Sequence, residues 1–192
     1  MNRNELNRLR TMEDIKESFI ELYESVGIDK VSVQNLCGKA NISKTIFYRY
    51  FDDKYQVLEY IEEELLARMQ EINRVLKNTP IREYKKGKPF PVFYETAEYV
   101  YSKKKYFKAL LSAHGDPQFI FKWKKQIRLD VRNKFEFDQI TGYNLDVVTE
   151  LFAAAVIGLY TYWFFENPEM SCQEISEIGG NMLCGSFYNF RN

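Results

Sequence analysis

The run Ser43-Lys44-Thr45-Ile46-Phe47-Tyr48-Arg49-Tyr50-Phe51 concentrates hydroxyls, cations and rings on one short stretch of chain. Ser43, Lys44, Thr45, Tyr48 and Arg49 can offer donors to base edges and phosphates, while Ile46, Phe47 and Tyr50-Phe51 can anchor a short helix. Other chemistry is poorly supplied. His114 is the single histidine, so any Ser-His or Cys-His mechanism must pass through it, and no G-x-S-x-G elbow accompanies it. Cys37, Cys172 and Cys184 show no C-x-x-C spacing, which speaks against a zinc site or a disulfide framework. Ser102-Lys103-Lys104-Lys105 fits S-x-x-K only as part of a lysine run, and no glycine-rich phosphate loop occurs. No enzyme activity, metal or cofactor is expected.

The elements that must position the Ser43 run are readable from caps and spacing. Strand signals are nearly absent and apolar residues recur at three and four, so the chain is expected to be all-α, with about nine helices. Thr11 with Asp14 is the expected start of a first helix whose buried face is Ile15, Phe19, Leu22, Tyr23 and Val26, stopped by Gly27. Ser32 caps a second, short helix, and Ser43 a third, with Asn41 in the turn between them, where a left-handed backbone is needed. Asp52-Asp53 then open a long helix, Lys54 to about Lys77, burying Tyr55, Leu58, Ile61, Leu65, Met69, Ile72 and Leu76. A loop is expected over Asn78 to Pro91, which holds Pro80, Gly87 and Pro89. Further helices are expected over Pro91 to Ser102, through Leu110-Leu111, from Pro117 to about Asn133, from Leu145 to Phe165 after the cap Asn144, and from Cys172 to about Tyr188, where Ser171 and Glu174 form a capping box.

Composition narrows the function classes. Over 192 residues, 27 Lys+Arg balance 27 Asp+Glu, so any attraction to a polyanion must be local. The balance hides a division: residues 82 to 134 carry 14 basic and 5 acidic side chains, and residues 135 to 192 carry 1 and 8, so these segments face different neighbours or each other. The lysines of 103 to 108 and 122 to 134 read as a solvated face, with an anionic effector or DNA backbone as alternatives. The longest uncharged apolar stretch, Leu151 to Phe165, is shorter than the roughly 20 residues of a membrane span, and the N-terminus lacks a secretory core. A cytoplasmic protein without a membrane partner is expected.

A pair of short helices behind a longer one is a helix-turn-helix, whose second short helix can enter the major groove. Residues 11 to 58, and above all Ser32 to Lys54 with the run Phe47-Tyr48-Arg49-Tyr50-Phe51-Asp52-Asp53-Lys54, resemble the DNA-binding domain of TetR/AcrR-family transcriptional regulators. The sequence departs from the family at Asn41, where glycine is usual, and at Thr45, often glycine or proline. The resemblance implies that Gln34, Lys44, Thr45, Tyr48 and Arg49 face the groove and that Ser32, Ser43, Tyr50 and Lys54 hold phosphates. It implies a DNA-binding domain over 1–53 and a helical effector-binding and dimerisation domain over 54–192. Tyr160 to Pro168 is similar to the end of the family's penultimate helix.

Aromatic residues make up 16% of the chain, more ring surface than a small core needs. Each ring taken singly reads as core packing. Taken together they suggest an effector pocket among Met69, Phe107, Phe119, Trp123 and Tyr160. Leu151, Ala155, Leu159, Ile175, Gly179, Met182 and Leu183 fall at helical spacing on the last two helices, as a buried pair or as a dimer seam, and the resemblance favours the seam. The expected molecule is a homodimeric repressor that binds a palindromic double-stranded DNA operator and is released by a small apolar or aromatic effector. The rival is a helical ligand-binding or scaffolding protein that does not read DNA.

Overall fold

The computed structural model describes residues 2–75, 80, 91–141 and 144–189, with side chains described to residue 182. The expected loop over Asn78 to Pro91 lies outside the described residues apart from Pro80 and Pro91, as do Leu76 and Lys77. Among the described residues there are nine α-helices and no strand: α1 (Arg3–Val26), α2 (Val33–Lys39), α3 (Lys44–Phe47), α4 (Lys54–Asn73), α5 (Pro91–Ser102), α6 (Lys104–Leu111), α7 (Pro117–Phe137), α8 (Leu145–Phe165) and α9 (Cys172–Asn189). Two compact units emerge, Met1–Leu65 with Ala109–Asp116, and Leu66–Lys108 with Pro117–Asn192.

In the first unit α1 begins well before Thr11. Asn2 accepts from the Glu5 amide at 2.9 Å and Glu5 reaches back to the Asn2 amide, a reciprocal cap stronger than anything Thr11 offers. The Thr11 hydroxyl donates to the Asn7 carbonyl at 2.9 Å instead, as a helix-interior threonine does. Gly27, at φ 73°, ends the helix with its amide on the Tyr23 carbonyl. Ile15, Phe19, Ile20 and Tyr23 form the buried face, whereas Val26 is exposed and Leu22 only half-buried. A 3₁₀ turn, Ile28–Lys30, leads into α2.

In α4 the Asp53 carboxylate accepts from the Gln56 amide at 2.9 Å, which fixes the helix start at Lys54. Val57, Leu58, Ile61 and Leu65 are buried, and Tyr55 faces solvent. Lys16 of α1, buried, bridges Glu13 at 2.7 Å and Glu64 at 2.6 Å. Its burial disfavours the charge, but the two carboxylates outweigh that and hold the ammonium pKa above its ordinary value.

In the second unit α7 packs along α8, and α5 packs on α9. Asn144 accepts from the Asp146 and Val147 amides, and Ser171 exchanges hydrogen bonds with Glu174, so both final helices start where their caps place them. α8 is long and apolar enough to cross a membrane by length and composition. It behaves here as a core helix: Phe152, Ala153, Ile157, Trp163 and Phe164 are buried, and its Glu150 accepts from Lys124 and Arg128, both at 3.1 Å. Arg132 pairs with Asp146. The basic α7 and the acidic start of α8 therefore face each other.

Candidate nucleic-acid interface

The local chemistry of Ser32 to Lys54 builds a rigid corner. Ser32 accepts from the Asn35 amide at 3.1 Å and Ser43 from the Ile46 amide at 3.2 Å, so each short helix is capped by its own hydroxyl. Asn41 sits at φ 52°, the left-handed conformation that the turn between α2 and α3 requires. Leu36, Cys37, Phe47 and Phe51 point inward, with Phe47 wholly buried and 6.0 Å from the Phe51 ring. Burial pushes the Cys37 thiol pKa up, as for an inert core cysteine.

With those rings inside, Gln34, Ser43, Lys44, Thr45, Tyr48 and Arg49 are left exposed together. Tyr48 is 55% exposed and leans edge-on against Phe47 at 5.4 Å, so its ring is held by the core while its phenol stays free to meet a partner. Ser32 is exposed at the start of α2, and Tyr50 is half-buried. These are the donors that a groove-reading corner needs.

Lys54 departs from its expected place. Its ammonium donates to the carbonyls of Ile28 at 2.7 Å, Asp29 at 3.1 Å and Val31 at 2.8 Å. An ammonium has three donors, and all three are directed at the backbone of the 3₁₀ turn and the Val31 that follows it. Where a phosphate contact was expected, the side chain in this structure ties the start of α4 to the segment that delivers Ser32. Sequence reasoning missed this because carbonyl acceptors leave no residue-type signal.

In the second unit the expected pocket residues come together as a ring cluster. Phe107, Phe119 and Trp123 lie within 5.3 to 6.0 Å of one another by ring centroids, and Trp123 stacks on Tyr160 at 5.6 Å. Met69 is buried as well. Burial raises the Tyr160 pKa far above the ordinary phenol value, so this hydroxyl stays protonated. The rings touch, so an effector among them must part them.

The expected dimer residues divide between two faces. Leu151, 64% exposed, heads an outward stripe on α8 that continues through Ala154, Gly158, Tyr162 and Phe165, with Ala155 and Leu159 half-buried beside it. Met182 and Ile178 are exposed on α9. Ile175, 1% exposed, and Gly179 face inward, and a Cβ on Gly179 would come 3.1 Å from a Leu159 methyl. Their expected place in a seam between protomers is corrected, since they pack within one. The Leu183 side chain lies outside the described residues.

Comparison with known proteins follows the same two parts. Residues 20–61 match the model of bacterial regulatory proteins of the tetR family, and residues 87–185 match that of a transcriptional regulator C-terminal region of the same family. No curated protein sequence matches the chain. Among solved structures, a TetR transcriptional regulator from Streptococcus agalactiae is similar with a TM-score of 0.65 at 19% identity, over 95% of this chain and 99% of that one. The fatty acid degradation regulator FadR from Bacillus halodurans has a TM-score of 0.69 at 13% identity, over 91% and 95%. A complex of SmeT, a Stenotrophomonas maltophilia repressor, with triclosan has a TM-score of 0.68 at 13% identity, over 92% and 91%. The capped helix-turn-helix corner, the helical second unit and the two family matches agree, and the chain belongs to the TetR family of bacterial transcriptional regulators.

Proposed function

We propose that the protein is a dimeric repressor that binds a palindromic operator and is released by a small apolar or aromatic effector. The observation that carries the DNA-reading half is the capped corner in which Phe47 is buried while Lys44, Thr45, Tyr48 and Arg49 are exposed. In this reading Gln34, Lys44, Thr45, Tyr48 and Arg49 meet base edges, and Ser32, Ser43 and Tyr50 meet phosphates. The outward α8 stripe supports a dimer: Ala154 and Gly158 let a second helix approach closely, between apolar Leu151 and Tyr162.

The effector half rests on the ring cluster of Phe107, Phe119, Trp123 and Tyr160, with Met69 as the buried side chain of α4 assigned to the same site. The fatty acid regulator and the triclosan complex among the structural neighbours are consistent with an apolar or aromatic effector class. A mobility shift with duplexes selected from a random library, run with and without excess unrelated DNA, tests the function. Sequence-selective retardation is expected, and its absence leaves the helical ligand-binding or scaffolding reading in place. For the effector, Trp123 fluorescence should change on titration with triclosan or a medium-chain fatty acid, while bound DNA is released. A silent emission in both titrations removes those effector classes.

A further inference from the structure

The Tyr160 side chain is 6% exposed, and its ring stacks on Trp123 at 5.6 Å. Its hydroxyl makes no hydrogen bond among the described residues. Leaving a buried hydroxyl unbonded is unfavourable, and a ligand that supplies the missing bond relieves it. What lies beside that hydroxyl is marked by Cys172, the half-buried first residue of α9. Burial and then the Cys172 sulfur push the Tyr160 phenol up, and burial and then Glu98 of α5 push the Cys172 thiol up. Glu98 also accepts a hydrogen bond from Tyr94, one turn back on α5, which raises that phenol in turn. Tyr160, Cys172 and Glu98 therefore lead from the ring cluster of the second unit to its surface, where Glu98 and Tyr94 are exposed.

The charge on this side has one sign. α5 carries Glu95 and Glu98, α9 carries Glu174 and Glu177, neither helix has a lysine or an arginine, and the two pack together. Glu174 is engaged in its cap with Ser171, and Glu177 accepts from Gln173. Glu98 makes no ion pair among the described residues. Lys104, beyond the end of α5, lies over the Tyr101 ring at 4.8 Å. No lysine or arginine among the described residues bears on the pKa of Tyr94, Cys172 or Tyr160. A carboxylate placed beside the Tyr160 hydroxyl would face Glu98 with no cation to offset it, whereas an ammonium finds an acceptor and a counter-charge.

We propose that the effector of the ring cluster is a cationic amphiphile: its apolar or aromatic body parts the rings beside Trp123, and its ammonium donates to the Tyr160 hydroxyl and faces Glu98. The inference rests on the effector site proposed above and adds the charge of the ligand to it. The rings take any apolar body of fitting size, and the two polar groups at one end select the head and fix its orientation.

The test uses the full chain at about pH 7, where an alkyl amine is protonated and an alkyl carboxylate ionised. Decylamine, decanol and decanoate, which share one apolar body, are titrated below their micelle concentrations and followed by calorimetry and tryptophan emission. Decylamine should bind most tightly and decanoate least, in steps of about fivefold, the upper end for a charge pair that stays in contact with water. Glu98→Gln should bring decylamine to the affinity of decanol and leave decanol unchanged. Glu136→Gln, on an exposed site about 20 Å along α7 from Trp123, should keep the parental order. Tyr160→Phe keeps the ring and should weaken decylamine and decanol about fivefold without lowering the melting temperature, because no protein hydrogen bond is removed. Decanoate binding as tightly as decylamine overturns the cationic head while leaving the effector site intact. So does an amine preference that survives Glu98→Gln or disappears equally in Glu136→Gln. Silence in all three titrations overturns the ring cluster as an effector site, and this inference with it.

Discussion

The Lys54 ammonium donates to the Val31 carbonyl at 2.8 Å, immediately before the serine that caps α2. Together with its bonds to Ile28 and Asp29, this makes Lys54 a positioning residue for the first of the two short helices. Replacing Lys54 by methionine should cost about 2 to 3 kcal/mol of stability in the first unit, because hydrogen bonds from a charged donor are lost. Operator affinity should fall with it, but the salt slope should stay that of the parent, since no phosphate contact is removed. A slope flattened by about one unit, measured over a salt series, would place the ammonium on DNA after all.

Tyr48 is held by an edge-on contact to Phe47 and otherwise exposed, so Tyr48→Ala should weaken operator binding with little change in thermal stability. Lys44 and Arg49 differ from it in kind. Their alanine variants should alter base preference by about 1 to 3 kcal/mol at single positions, read by repeating the selection with each variant. A variant that selects the parental sequence at parental affinity excludes its side chain from the reading surface.

The division of α8 and α9 into two faces separates two classes of variant. Leu151→Glu places a charge on the outward stripe and should yield folded monomers in sedimentation, with poor operator affinity. Gly179→Leu acts inside the protomer, where a Cβ already crowds Leu159, and should lower the melting temperature instead of splitting a dimer. A parent that sediments as a monomer at micromolar concentration would remove the seam altogether.

Alkaline pH should loosen the first unit. Burial, with Asp116 and Glu62 nearby, pushes the Tyr23 phenol up to about 12, and Lys16 is also raised. Both groups have folded pKa values above their unfolded ones, near 10 and 10.4, so their contribution is complete below those values and is lost as pH rises through the folded ones. Urea midpoints followed by circular dichroism should therefore fall between about pH 10 and 12. Tyr23→Phe should flatten that fall, and an unchanged pH profile in this variant would assign the loss elsewhere.

Helices were legible where caps and periodicity coincide. α5 and α8 begin and end at the residues their flanking signals name, and the α2–α3 corner follows from Ser32, Asn41 and Ser43. The early start of α1 was hidden because its first turns carry only Leu6 and Leu9 among polar residues, both exposed, and its cap lies in Asn2 and Glu5, ahead of the apolar face that begins at Ile15. The role of Lys54 was hidden for a different reason: its partners are backbone oxygens, which every residue possesses. On α9, spacing identified an apolar set but not which side of it meets α5. Ile175 and Gly179 therefore looked the same in sequence as Met182, although in the fold the first two are buried and Met182 is exposed.

The pairing of α7 with α8 bears on how the protein searches a chromosome. Lys124 and Arg128 are both drawn onto Glu150, and Arg132 onto Asp146. Cations engaged with the protein's own carboxylates gain less from displacing the ions condensed on DNA, and a genome presents about 10⁶ to 10⁹ competing sites to any surface that does gain. The most basic stretch of the chain is thus partly neutralised from within. On the proposed reading, this lowers the stretch's attraction to arbitrary sequence and leaves discrimination to the small corner built around Phe47.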